Sequence, residues 1–349
     1  MKDIAFVAAP ICDSVGGALI PAMQDSYHEC PQLGVATLAS ILRHGGYDCD
    51  LVDWVTADDS SINHVADSLS RFRLVFISAN SMNWAAVLQL LRRVKHVSPS
   101  TVTCIGGPHP TLHPENLAGR KEIDLYVVGE ADNIVCHIAE CVLERNISGL
   151  QRAPFNLHIG INFDSLKSKP ISGLIPKQEN LRQLEEIPVE YALYDISKYC
   201  VVPVETSRGC KFRCEFCSIP TKSYWRDYSV ERSVQLLNHA LPYALQSKAR
   251  VVSIIDDTFT TSAERVVEIA KRLGAEFHGR LNFDATVVDI RKEIVVEAMA
   301  EFASGLLIGA EVASKPDAKR IKKAATPKLV QESAAVLQKY GVSSKAVFS

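Results

Sequence analysis

"CVVPVETSRGCKFRCEFCS" (residues 200–218) runs a short apolar segment straight into a loop with three cysteines in eight positions, Cys210, Cys214 and Cys217. The Val-rich start reads as a β-strand. Four more β-rich runs follow it, at 250–257, 281–288, 305–311 and 343–349. Helical stretches fall between them, at 229–245, 261–274, 291–303 and 327–340. Strands alternating with helices predict a (β/α) barrel, in which chemistry sits at the C-terminal ends of the strands. The cysteine loop follows the first such strand directly. A disulfide would use two of its thiols. A structural zinc ion would need a fourth ligand, which Cys200 or His239 would have to supply from a distance.

The first 148 residues repeat the same rhythm without cysteine motifs. Strands are predicted at 3–9, 47–54, 74–79, 101–107 and 125–130, with helices at 33–46, stopped by Gly45 and Gly46, and at 84–97. In 84–97, Trp84, Val87, Leu88, Leu91 and Val94 share one face at helical spacing. This pattern predicts a doubly wound, flavodoxin-like (Rossmann-like) parallel sheet whose ligand lies beyond the strand C-termini. Residues 149–197 lose the rhythm, are rich in Pro, Gly, Ser and Lys, and read as a linker with room for a short hairpin before a barrel domain at 198–349. The barrel ends at or just after its fifth strand, which suggests a C-terminally shortened domain.

Of 349 residues, 38 are Lys or Arg and 40 are Asp or Glu, so no strong field favours nucleic acid. No apolar run approaches the roughly 20 residues of a membrane span. The ten cysteines are too sparse for a disulfide scaffold, and most of those outside the motif lie among apolar residues. A reduced, cytoplasmic protein is expected.

Three thiolates can hold three irons of a [4Fe–4S] cluster and leave the fourth iron open to an external ligand. Cys210-x3-Cys214-x2-Cys217, with Phe216 as the aromatic before the last cysteine, resembles the signature of the radical S-adenosylmethionine enzymes. The resemblance implies that the open iron chelates S-adenosylmethionine. An electron from the cluster then cleaves the sulfonium to a 5′-deoxyadenosyl radical. Lys211 departs from the family pattern, in which Pro is usual. Arg226, at the approach to the first barrel helix, would hold a carboxylate or pair on the surface. "IIDDTFT" (254–260) resembles the family's "DD-x-F", so Asp256 and Asp257 would face the cluster and one would hold the amino group of S-adenosylmethionine; both also suit an ordinary strand-end turn. "LLIGAEVAS" (306–314) resembles the fourth-strand motif, with Glu311 reaching the ribose hydroxyls or simply solvated.

Upstream, "CIGGPHPTLHPENL" (104–117) and "IDLYVVGEAD" (123–132) resemble the cobalamin-binding domain found ahead of many such barrels. The resemblance assigns Gly106, Gly107, Pro108, Gly129 and Glu130 to the ligand, with Ser78, Asn80 and Ser81 hydrogen-bonding its amides. A dinucleotide site is not expected, because no G-x-G-x-x-G follows the first strand. The cobalt-ligating D-x-H-x-x-G run is absent, since Val15 stands where His would be. His109 and His113 are left open between ligation and structure. Together these motifs imply a cobalamin-dependent radical enzyme that methylates an unactivated carbon of a small-molecule or natural-product substrate, with a flavodoxin- or ferredoxin-like electron donor. Cyclisation, oxidation or rearrangement with the same cofactors is an alternative, and so is an inactive cofactor binder.

Overall fold

The computed structural model describes residues 3–15, 18–21, 30–57, 61–151, 159–162, 189–310, 315–323 and 325–347. The chain divides into two compact units, Met1–Gln178 with Ile187–Lys198, and Glu179–Glu186 with Tyr199–Ser349.

The first unit opens with β1 (Ile4–Ala8), a hairpin of β2 (Cys12–Val15) and β3 (Ala18–Pro21), and α1 (Leu33–His44). It continues through β4 (Cys49–Asp53), α2 (Ile62–Leu69), β5 (Leu74–Ser78), α3 (Trp84–Val97), β6 (Val102–Gly106) and the single turn α4 (Pro108–Leu112). It closes with β7 (Leu125–Val127), α5 (Val135–Leu143) and β8 (Ile159–Ile161). The sheet order is β4-β1-β5-β6-β7-β8, parallel except for the antiparallel β7–β8 pair. The five parallel strands follow the flavodoxin-like order 2-1-3-4-5, which places a ligand where the order reverses, above the ends of β1 and β5. All five residues of β1 are buried, as expected of a strand covered on both faces. Val87, Leu90, Leu91 and Val94 of α3 pack into a core with Val7, Val75, Ile77 and Ile105.

β8 arises inside the stretch expected to be a linker. Asn162 secures it, donating Nδ2 to the Leu117 carbonyl at 2.8 Å and accepting from Gly119 N at 2.9 Å. Residues 189–198 also pack on this unit. Glu190 pairs with Arg43 at 2.5 Å, the Tyr194 hydroxyl donates to the Gln32 carbonyl at 3.2 Å, and Lys198 Nζ donates to the Thr56 carbonyl at 3.0 Å. Most of the remaining linker lies outside the described residues.

The second unit contains β9 (Val201–Val204), the two-residue pair β10 (Ser207–Arg208) and β11 (Arg226–Asp227), and α6 (Val230–Ala244). Then come β12 (Val251–Ile254), α7 (Ala263–Ala270), β13 (Leu281–Thr286), α8 (Val287–Ile290) and α9 (Glu293–Met299). The last elements are β14 (Ala303–Gly309), α10 (Lys315–Arg320), α11 (Pro327–Lys339) and β15 (Ser344–Val347). β9, β12, β13, β14 and β15 form one parallel five-stranded sheet in chain order, the topology of a partial (β/α) barrel. Its helices begin where the local sequence supplies caps. Ser229, Ser262 and Thr326 each accept a hydrogen bond from the backbone N–H three residues on, a contribution of about 1 kcal/mol apiece. Among the described residues, no helix is long and apolar enough to cross a membrane.

Candidate functional site

In the second unit the end of β9 is locked before the cysteine loop begins. Asp256, 1% exposed, accepts from Thr206 N, Thr206 Oγ1 and Ser207 Oγ, each at 2.6 Å. The Thr206 carbonyl accepts from buried Arg265 Nη2 at 2.7 Å and from Tyr228 N at 3.1 Å. Arg265 also donates to Ser233 Oγ at 2.7 Å and faces Asp227 at 3.3 Å, tying α6, α7 and β11 to that one threonine. Burial pushes the Asp256 carboxyl up, while its three donors and Arg265 pull it down. Asp256 therefore serves the loop as an anchor. Asp257, its exposed neighbour, accepts from Gly209 N and lies in the field of Arg226; burial of part of its surface raises its carboxyl.

The cysteine loop turns on Gly209 (φ +82°). A Cβ there would lie 2.0 Å from the Tyr224 carbonyl oxygen. Beyond it, Ser223 N donates to the Phe212 carbonyl at 3.1 Å, and Lys222 Nζ donates to the Cys217 carbonyl at 3.0 Å. The thiols themselves are lightly engaged. Ile219 N donates to Cys217 Sγ at 3.4 Å, and Cys210 Sγ lies 3.5 Å from Thr258 Oγ1. Burial raises the Cys214 thiol, opposed by the charge of Lys323. Among the described residues, no three His, Cys, Asp or Glu side chains are arranged to hold a single metal ion. Three thiols on a braced loop instead fit a cluster in which each takes a different iron. Phe216 is 46% exposed, with Lys323 Nζ 5.7 Å from its ring centre. Arg226 is buried, its guanidinium 5.0 Å from the Tyr224 ring. Glu311 lies outside the described residues.

Two acidic residues of this end were not singled out from sequence. Asp284 on β13 faces away from the core, and its carboxyl is pushed up to about 6, first by desolvation and then by the charges of Asp256 and Asp257. The alternation of "LNFDAT" (281–286) was its signal, because a carboxylate on the open face of a barrel strand has no packing role. Asp289 on α8 is wholly buried and receives Lys211 Nζ at 2.7 Å.

In the first unit the predicted ligand residues gather at the C-terminal edge of the sheet, where Ser78 and Gly106 are direct register partners. A Cβ on Gly106 would meet nothing within 4 Å, so its backbone is open to a ligand. Gly107 has a different reason. Its φ is +104°, and a Cβ would lie 2.7 Å from the Ala79 carbonyl oxygen. The "GG-x-H-x-T" and "GE" motifs form one hydrogen-bonded chain, in which Thr111 Oγ1 donates to the Gly107 carbonyl at 2.8 Å and accepts from Gly129 N at 3.0 Å. Pro108 is the first residue of α4, and Glu130 is half-buried just beyond Gly129.

Asn80 Oδ1 accepts from Met82 N and Asn83 N, both at 2.9 Å, bracing the turn into α3. Buried Asn83, not recognised from sequence, donates to the carbonyls of Ala9 at 3.3 Å and Ser78 at 3.4 Å and so joins the ends of β1 and β5. Ser81 Oγ lies 3.3 Å from His109 Nδ1, and the His109 ring stacks on Trp84 with centroids 4.2 Å apart. Burial holds the His109 imidazole below its ordinary range, which suits a neutral stacking role. An open glycine backbone beside hydroxyl and amide groups, at the reversal point of the strand order, fits a large amide-bearing ligand such as cobalamin.

Two family models match the chain, the B12 binding domain over residues 21–139 and the Radical SAM superfamily over residues 204–348. An uncharacterised methyltransferase of Pyrococcus horikoshii is 28% identical over 334 residues, covering 91% of this chain and 69% of that protein. The anaerobic magnesium-protoporphyrin IX monomethyl ester cyclase of Rubrivivax gelatinosus is 24% identical over 333 residues, covering 91% of this chain and 58% of that protein. Among solved structures, the cobalamin-dependent S-adenosylmethionine radical enzyme OxsB, with aqua-cobalamin and S-adenosylmethionine bound, superposes with a TM-score of 0.75 at 19% identity, covering 99% of this chain and 49% of that one. The radical S-adenosylmethionine methyltransferase TsrM of Kitasatospora setae, with cobalamin and a [4Fe–4S] cluster bound, gives 0.74 at 13% identity, covering 99% and 66%. This chain thus spans about half the length of the OxsB chain. Both models match in the order of the two units, so the chain carries a B12-binding domain followed by a Radical SAM domain.

Proposed function

We propose that this chain is a cobalamin-dependent radical methyltransferase acting on an unactivated carbon of a small-molecule or natural-product substrate. Cys210, Cys214 and Cys217 would hold a [4Fe–4S] cluster with one iron open to S-adenosylmethionine. Asp257, Arg226, Phe216 and Glu311 are the candidates to contact S-adenosylmethionine, and Ser78, Gly106, Pro108, Gly129 and Glu130 to contact cobalamin. When bound, these cofactors supply reductive cleavage of S-adenosylmethionine and methyl transfer through cobalt. The chain's own part is positional. Asp256 and Arg265 fix the strand end from which the cysteine loop springs, and Gly209 sets the turn into it. Asn83 fixes the edge on which the second cofactor would rest. The reducing electron would come from a flavodoxin- or ferredoxin-like donor.

The observation that carries this reading is the three-thiol loop, braced through its backbone. Anaerobic reconstitution tests it. We expect about four irons per chain in the wild type, and loss of most of them in Cys210→Ala, Cys214→Ala and Cys217→Ala. Full iron retention by the triple variant would sink the cluster assignment. With reductant and S-adenosylmethionine, 5′-deoxyadenosine should form, and product mass decides the outcome. A gain of one methylene supports methyl transfer. The likeness to the Rubrivivax cyclase favours ring formation as the second reading, and a product without added carbon would select it.

A further inference from the structure

Lys211 directly follows the first cysteine of the loop, yet its side chain runs to another part of the barrel. Its ammonium donates to Asp289 Oδ1 at 2.7 Å and to the Thr261 carbonyl at 3.3 Å. The Asp289 side chain is 0% exposed, whereas that of Lys211 is 31% exposed. Asp289 also accepts from Thr286 Oγ1 at 2.8 Å and lies 3.5 Å from Thr260 Oγ1. Those hydroxyls solvate the carboxylate but cannot neutralise it, and Lys211 supplies the charge that does. A buried carboxylate stripped of its cation is strongly disfavoured, while the half-exposed lysine could return to water. The pair is therefore asymmetric, and it is Asp289 that requires Lys211.

The consequence lies in what the pair joins. Thr261 belongs to the segment after β12, and Asp289 to α8 after β13, so one side chain ties the first cysteine's neighbour to two strand ends. Cys210 itself meets Thr258, from the same segment after β12. We infer that Lys211 and Asp289 form a charge-neutral strut, which positions the first cysteine before iron arrives and keeps an uncompensated charge away from the cluster. Lys211 is a positioning residue in this scheme. The second half of the inference rests on the cluster reading proposed above. Charge close to an iron–sulfur cluster sets its potential, and a lone cation favours the reduced state.

Two measurements on Lys211→Met, Asp289→Asn and the double variant test the strut. The first is thermal melting of the metal-free full chain. Lys211→Met should melt several degrees below wild type, because it abandons a buried carboxylate, and adding Asp289→Asn should recover most of the loss. A double variant as unstable as Lys211→Met overturns the strut. The second is the midpoint potential of the reconstituted cluster, followed by electron paramagnetic resonance. Asp289→Asn should raise it by leaving the ammonium unpaired, and the double variant should return it to the wild-type value. An unshifted Asp289→Asn, or a rise that persists in the double variant, overturns the electrostatic role. If the wild type takes up no iron, the cluster assignment falls, and the melting series still judges the strut on its own.

Discussion

Three aspartates at the C-terminal end of the barrel sheet have different physical situations. Asp256 is buried and saturated by three donors, Asp257 is exposed beside Gly209 and Arg226, and Asp284 projects from the open face of β13. Desolvation raises all three carboxyls, so each costs stability once ionised, and for Asp284 the pH window can be named. Its carboxyl rises from 3.8 to about 6, so the unfolded chain gives up that proton at lower pH than the folded chain does. Deprotonation thus favours unfolding, and the penalty grows as pH climbs from 3.8 to about 6 and stays in full above that. Asp284→Asn should consequently raise the melting temperature above pH 6 and leave it nearly unchanged below pH 3.8, where both side chains are neutral. Melting curves at the two ends of that window check this. An equal gain at both would mean that the substitution acts through packing.

At the scale of the element, the cysteine loop is shaped by its backbone more than by its thiols. Gly209→Ala would drive a methyl group to 2.0 Å from the Tyr224 carbonyl oxygen in a left-handed conformation, so the loop must open. Iron uptake should fall to near the level of the cysteine variants. Gly279 has a similar φ of +65° but open space around it, so Gly279→Ala should lose only about 1–2 kcal/mol and take up iron normally. Iron content and chemical denaturation of the two variants separate loop geometry from general strain. The regular elements of both units were legible in the sequence because most strands are short apolar runs, some closed by Gly or Asp, as β4 is by Asp53 and β6 by Gly106. α3 lies over 84–97 as its spacing predicts. The β2–β3 hairpin and β8 were not legible. They sit in stretches rich in Gly, Pro and Ser, and what makes β8 a strand is a partner, β7, that pairs with it from distant sequence. Asn83 and Asp289 were missed for the same reason. A polar residue shows in the sequence, but the buried acceptor or cation it meets across the fold does not.

At the scale of the whole molecule, the chain carries two candidate sites on two compact units, each at the C-terminal ends of its own parallel strands. That arrangement predicts independent loss. In the first unit Gly106 lies in register with Ser78 and faces open space, so a larger side chain can be accommodated without disturbing the sheet. It would, however, occupy the place where a ligand must approach the backbone. Gly106→Leu should fold with a melting temperature within a few degrees of wild type, take up iron in full, and lose most of its cobalamin, read from the visible spectrum after gel filtration with added hydroxocobalamin. Cys214→Ala should do the reverse, retaining cobalamin and losing iron. Gly107→Leu is the contrasting case, since its side chain would strike the Ala79 backbone and unfold the edge, lowering stability and cobalamin together. Full cobalamin retention by Gly106→Leu would place the corrin elsewhere on the unit. Loss of iron along with cobalamin in that variant would mean that the cluster loop depends on the first unit for its shape, contrary to the self-contained bracing by Asp256, Arg265 and Lys211 within the second.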